Sequence, residues 1–102
     1  MYSARDRVEQ EEWLAEIQRG ADSLELGAEA RSTAEDLFLS NVPDSDRSKP
    51  AVAAAALYAG ALLASEERAQ TEVAAAMDVS RLSVQQRWKP LLEEAGFRTP
   101  SW

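Results

Sequence analysis

The run from Ala51 to Ala64, AVAAAALYAGALLA, has no charged side chain and no polar face. A helix that is apolar all round cannot lie on the surface of a water-soluble protein, so it must be surrounded by other elements. It is also shorter than the ~20 residues needed to cross a bilayer. Its small side chains let neighbours come close, and Gly60, which would weaken an isolated helix, predicts a close backbone approach. Ser48 ahead of it offers a capping hydroxyl, and Pro50 suits a first turn, where its missing amide proton costs nothing. The expectation is a hub helix in which Val52, Ala55, Ala56, Ala59, Leu62 and Leu63 are largely inaccessible, with Trp88 against the same core.

Such a hub needs amphipathic helices to cover it, and the flanking sequence supplies them. Asp6 to Gly20 follows a helical period, with Trp13, Leu14 and Ile17 on one face and Glu9, Glu11, Glu12 and Glu16 pointing away. Gly20 or the Ala-Asp-Ser segment after it is the expected end. A second helix is expected over Ala28 to Ser40, with Ala30, Ala34, Leu37 and Phe38 on one stripe. Asn41 to Asp46 clusters Asn, Pro and Asp and reads as a loop inside one domain.

After the polar turn Ser65 to Arg68, the stretch Thr71 to Trp88 reads as a short helix, a tight turn and a longer helix. Val73, Ala74 and Met77 form the apolar face of the first. Leu82, Val84 and Trp88 do the same on the second, and Ala74 and Ala75 are small enough for close approach. In the turn Asp78-Val79-Ser80, Ser80 is suited to cap the second helix and Val79 to plug the angle between the two. This is the pattern of a helix-turn-helix, whose second helix is offered to a DNA groove. Arg81, Ser83, Gln85, Gln86 and Lys89 point outward, and Arg81 to Leu92 contains no acid. Gln suits an adenine edge, Arg a guanine or a phosphate. Arg81, Arg87 and Lys89 are expected mainly on phosphate, with a neighbouring acid as the alternative for Arg87. Leu82 is open between a thymine methyl and the core. A solvated helix carrying Arg and Gln would look the same, so both readings stand. Pro90 is expected to kink or restart the last helix at a cost of ~3 kcal/mol, and Gly96 to end it near Ala95.

Composition narrows the chemistry. The chain of 102 residues is long enough for one core. It has no cysteine and no histidine, which removes thiolate metal sites, disulfides and the commonest general base. Its carboxylate pairs sit in solvated runs without a glycine-rich phosphate loop, so neither an enzyme nor a cofactor or metal site is expected. No apolar run is long enough for a membrane span and MYSARDRVEQ has no signal-peptide core, which points to a soluble cytoplasmic protein. The net charge is −7. Through Asp46 four bases face twelve acids, giving −8, and from Arg47 onward seven bases face six acids, giving +1. The acidity thus belongs to the first half. Acid-rich, lysine-poor and alanine-rich composition suggests a cytoplasm at high salt, where self-repulsion is screened.

RSKPAVAAAALYAGALL resembles the central helix of the second core repeat of archaeal transcription initiation factor B, the relative of eukaryotic general factor IIB. RAQTEVAAAMDVSRLSVQQRWKPLLE resembles the helix-turn-helix that follows it. The resemblance implies an all-α fold, a single cyclin-like five-helix domain over residues 1–102 with a C-terminal helix-turn-helix; 1–5 and 98–102 are expected as loose ends. Family base-reading positions fall on Leu82 and Gln85, with Arg81, Ser83, Gln86 and Lys89 nearby. The family usually has a basic residue at Gln85, Thr at Ala69 and a glycine near Asp78. The sequence carries no zinc-ribbon cysteines and no first repeat, so a single-repeat protein is expected rather than a complete initiation factor. Two functions follow: a regulator that binds double-stranded promoter DNA through Arg81, Leu82, Ser83, Gln85, Gln86, Arg87 and Lys89, or an interaction module that grips a transcription protein such as the TATA-binding protein.

Overall fold

A computed structural model describes residues 8–96, so the expected loose ends, and Phe97 and Trp102 with them, lie outside the described residues. The architecture is all-α: α1 (Glu11–Ser23), α2 (Ala28–Ser40), a 3₁₀ turn (Asp46–Ser48), α3 (Lys49–Leu63), α4 (Gln70–Met77) and α5 (Arg81–Glu94). Helix α3 is the hub, and every other helix touches it, α2 and α5 most extensively.

Along α3 every residue from Val52 to Ala61 is buried, so neighbours cover it through its full circumference. Leu62 and Leu63 depart from expectation and are only half-buried, because the helix emerges from the core there, ahead of the turn at Ser65. The start also differs. Ser48 makes no side-chain cap; Ser45 does so one turn earlier, accepting from the Arg47 amide at 3.2 Å, and the 3₁₀ turn feeds directly into α3.

Helix α2 presents Ala30, Ala34, Leu37 and Phe38 to the hub. Gly60 sets their separation. A Cβ on it would lie 2.8 Å from both the Ala30 carbonyl oxygen and the Ala34 amide nitrogen, so the two backbones meet with no room for a methyl group.

Helix α1 runs past Gly20, the first of the two expected ends, and stops at Ser23, within the Ala-Asp-Ser segment that is the second. Gly20 is buried, and a Cβ there would collide with Met77 and Leu57, so this glycine serves close packing rather than termination. The helix ends instead through Glu25 in a left-handed conformation (φ 56°), with the Leu26 amide donating back to the Ala21 carbonyl at 3.0 Å. The same closure recurs at Ser65 (φ 62°), where the Glu66 amide donates to the Ala61 carbonyl at 2.8 Å.

Those two closures are fastened to each other. The Glu66 carboxylate accepts from the Gly27 amide at 3.0 and 3.3 Å, while the Arg68 guanidinium donates to the Leu24 carbonyl at 3.1 Å and to the Glu66 carbonyl at 2.9 Å. The segment leading into α4 is thereby anchored to the α1–α2 connection. Across α1 and α2, Arg31 donates to the Leu26 carbonyl at 2.9 Å and to Gln18 at 3.2 Å, and Gln18 donates to Glu35 at 2.7 Å.

Two substitutions test the hub. Alanine is the better helix former by about 1 kcal/mol, yet Gly60→Ala should destabilise by about 1–2 kcal/mol net, because overpacking against rigid backbone costs more. Thermal unfolding followed by circular dichroism should show a lower midpoint; a raised one would mean that α2 yields freely. Ala56→Asp, which buries an unpaired charge, should abolish the cooperative transition altogether.

Candidate nucleic-acid interface

Helices α4 and α5 form the expected helix-turn-helix. Val73, Ala74 and Met77 anchor α4 in the core. Ala74 is buried, whereas Ala75 is exposed, correcting the expectation that both line the helix junction. At the start of α4 the Glu72 carboxylate accepts from the Ala69 amide at 3.0 Å. Alanine has no side-chain acceptor to return, so half of the reciprocal capping arrangement survives.

The turn is held by three groups. Asp78 takes the left-handed conformation (φ 57°, ψ 46°), one that asparagine and aspartate tolerate better than most residues. Val79 donates its amide to the Ala74 carbonyl at 3.0 Å and packs half-buried against the core. Ser80 then caps α5 as expected: its Oγ accepts from the Ser83 amide at 3.1 Å and lies 2.9 Å from the Ser83 hydroxyl.

Helix α5 buries Val84, Trp88, Leu91 and Leu92. Trp88, 3 % exposed, meets Tyr58 of the hub edge to face, with ring centroids 5.4 Å apart and planes at 67°. Pro90 does not end or restart the helix, which is continuous from Arg81 to Glu94. Pro90 sits on the exposed side, and the amide it lacks would have served the carbonyl of Gln86, itself an exposed residue.

All seven candidate contact residues lie off the buried face of α5. Leu82 is settled as a surface residue, 57 % exposed, and not a core leucine. Arg81, Gln85, Gln86 and Arg87 are exposed as well, and Ser83 and Lys89 are half-buried. At 3.6 residues per turn they sort into a crest and two flanks. Leu82 and Gln86 lie on the crest, Arg81, Gln85 and Lys89 along one flank, and Ser83 and Arg87 along the other. The Arg81 Nη1 donates to the Gln85 Oε1 at 2.7 Å, and the Lys89 Nζ sits 5.4 Å from the Trp88 ring centroid, within cation–π range. Glu93 and Glu94, both exposed, begin the acidic end of this face. A residue outside the expected set joins it. Gln70, in the first turn of α4, lines with Gln85, Trp88 and Lys89 an open cleft of about 240 Å³. Nothing in the local sequence ties Gln70 to α5; only the angle between the helices brings them together. Among the described residues no cluster of acidic groups could hold a metal ion, and no helix is long and apolar enough to cross a membrane.

Among the described residues, a buried alanine-rich helix ringed by four others, with the last two in helix-turn-helix geometry, defines a cyclin-like helical repeat. Residues 7–94 match the transcription factor TFIIB repeat, and the chain belongs to the TFIIB family. It is 32% identical over 87 residues to transcription initiation factor IIB 2 of Thermococcus kodakarensis, covering 82% of this chain and 28% of that protein. Over 84 residues it is 32% identical to a transcription initiation factor IIB of Haloarcula vallismortis, covering 79% of this chain and 74% of the relative. Over 80 residues it is 38% identical to transcription initiation factor IIB 2 of Haloferax volcanii, covering 76% of this chain and 24% of that protein. The chain thus spans about a quarter of the length of two of these relatives. The relatives named here are transcription initiation factors, and membership of their family points to a transcription-related role.

The geometry of α5 makes stability a check on these placements. Leu82→Ala should cost under about 0.5 kcal/mol, as for an ordinary surface site, whereas Leu92→Ala in the core should cost about 2–5 kcal/mol. Ser80→Ala should fall between, at about 1 kcal/mol, through loss of the cap. Urea unfolding of the three variants would reverse the assignment if Leu82→Ala matched Leu92→Ala.

Proposed function

We propose that the protein binds double-stranded DNA by laying α5 in the major groove, as a single-repeat transcription regulator that engages or competes for promoters. The observation that carries this reading is the charge placement on α5. In a chain of net charge −7, the outward face from Arg81 to Lys89 bears three cations and no acid. Lys89 and Arg87, on opposite flanks, are spaced to reach the phosphates on either side of a groove. Leu82 and Gln86 on the crest, with Gln85 beside them, face the base edges, Leu82 suiting a thymine methyl group. Ser83 is close to the capped end, where it can reach backbone or base.

The acidic first half favours a second reading. Glu9, Glu11, Glu12, Glu25 and Glu29 are all exposed, and such a surface fits a basic protein partner, the TATA-binding protein being one candidate in this setting. On that reading the protein is an interaction module and α5 a retained scaffold.

A titration of fluorescent duplex DNA across a salt series separates the two. DNA binding through α5 gives an affinity that falls steeply with salt, and Lys89→Ala should flatten the logarithmic slope by about one unit for all sequences. Unchanged slopes for Lys89→Ala and Arg87→Ala would remove α5 from the interface. A slope near zero in the unmodified protein would leave the protein-partner reading.

A further inference from the structure

Resting on the proposal that α5 enters the major groove, we infer that Arg81 and Gln85 act there as one donor unit that reads a guanine in preference to an adenine. Arg81 occupies the first turn of α5, one helical turn before Gln85, and both side chains are exposed. The guanidinium carries only donors, so the 2.7 Å contact has a single chemical sense: Arg81 Nη1 gives its proton to Gln85 Oε1. That changes what Gln85 can offer. A free glutamine matches adenine because its oxygen accepts from the N6 amino group while its nitrogen donates to N7. Arg81 takes one of the two lone pairs on that oxygen and holds it towards the guanidinium, so the pair is left with a single acceptor site against the two Gln85 amino protons and the remaining guanidinium N–H groups. The pair is therefore donor-rich and positively charged. Guanine shows two acceptors in the major groove, O6 and N7, whereas adenine would set its N6 donor against them.

The location supports a base contact over a purely electrostatic one. Gln85 neighbours the crest formed by Leu82 and Gln86, and the hydrogen bond draws the Arg81 head along the helix towards Gln85. Lys89, a turn further on in the same row, is held over the Trp88 ring instead. The row thus has a cationic end at Lys89 suited to backbone and a donor pair suited to a base.

The test begins with selection of preferred duplexes from a randomised library using the full chain, followed by binding titrations on the enriched site. Changing the contacted guanine to adenine should weaken binding about 5- to 150-fold, and 7-deazaguanine, which lacks the N7 acceptor, should also weaken it. Arg81→Ala and Gln85→Ala should each erase this discrimination, and the double variant should lose no more than either single one. Circular dichroism melting verifies that these surface variants are folded. Enrichment of adenine at that position, or a stronger adenine preference in Arg81→Ala, would overturn the paired reading while leaving DNA binding intact. So would an Arg81→Ala variant that weakens every sequence equally. Binding without any enriched sequence would likewise overturn it, and no binding to any duplex would end both this inference and the proposed function.

Discussion

The approach of α2 to α3 at Gly60 is the constraint on which the other contacts depend. A hub built mostly from alanine cannot reach outward to fill space, so its neighbours must come to it. With small side chains on both partners, Ala30 and Ala34 on α2 and the alanines of α3, the two backbones pack at glycine-limited distance. Dispersion per atom pair is weak, but a close interface multiplies the pairs. The large side chains, Phe38, Ile17, Leu37 and Leu92, fill the spaces around this narrow seam. The arrangement also fixes where Tyr58 stands, and Tyr58 in turn receives Trp88 from α5. The orientation of the candidate DNA-facing helix is therefore set from the centre of the molecule.

Much of this was legible in the sequence because it rests on periodicity and on residue size. The apolar run of α3, the stripe on α2 and the Ser80 cap each follow from local rules. What was not legible depends on meetings between distant residues. Gly20 reads as a helix breaker until Met77 and Leu57 are placed over it. Three helix ends, at Glu25, Ser65 and Asp78, use a left-handed residue that is not glycine. Sequence reasoning looks for glycine at that position, because other L-residues pay a conformational cost there. Here each such residue is followed by an amide that closes back on the helix, and at Leu26 and Val79 by a side chain packed into or against the core. These tertiary contacts offset the strain, and they leave no glycine to read.

The candidate site shows the same division. That α5 has an inner and an outer face follows from its period, but the placement of Leu82 does not, since a leucine next to Arg81 fits either face by composition. Its exposure is decided by the angle at which Ser80 starts the helix and by Trp88 and Val84 taking the inner positions. Gln70 and the Arg81–Gln85 contact belong to this class too, one set by the crossing of two helices and the other by rotamers on a surface row.

Pro90 brings these strands together. Inside a helix it removes a hydrogen bond and crowds the preceding turn, yet α5 continues through it because Leu91 and Leu92 beyond it are buried and hold the last turns in place. The cost falls on the outward side, where water can satisfy the Gln86 carbonyl. Pro90 also stands where the character of that side changes. Before it the outward face carries cations, neutral polar groups and Leu82, with no acid; after it come Glu93 and Glu94. A phosphate backbone lying along α5 would be attracted by the first segment and repelled by the second, so the same face sets a limit to its own footprint. In an acidic chain whose negative charge is concentrated at the opposite end of the sequence, that local sign change makes the first turns of α5 the most favourable part of the helix for an anion.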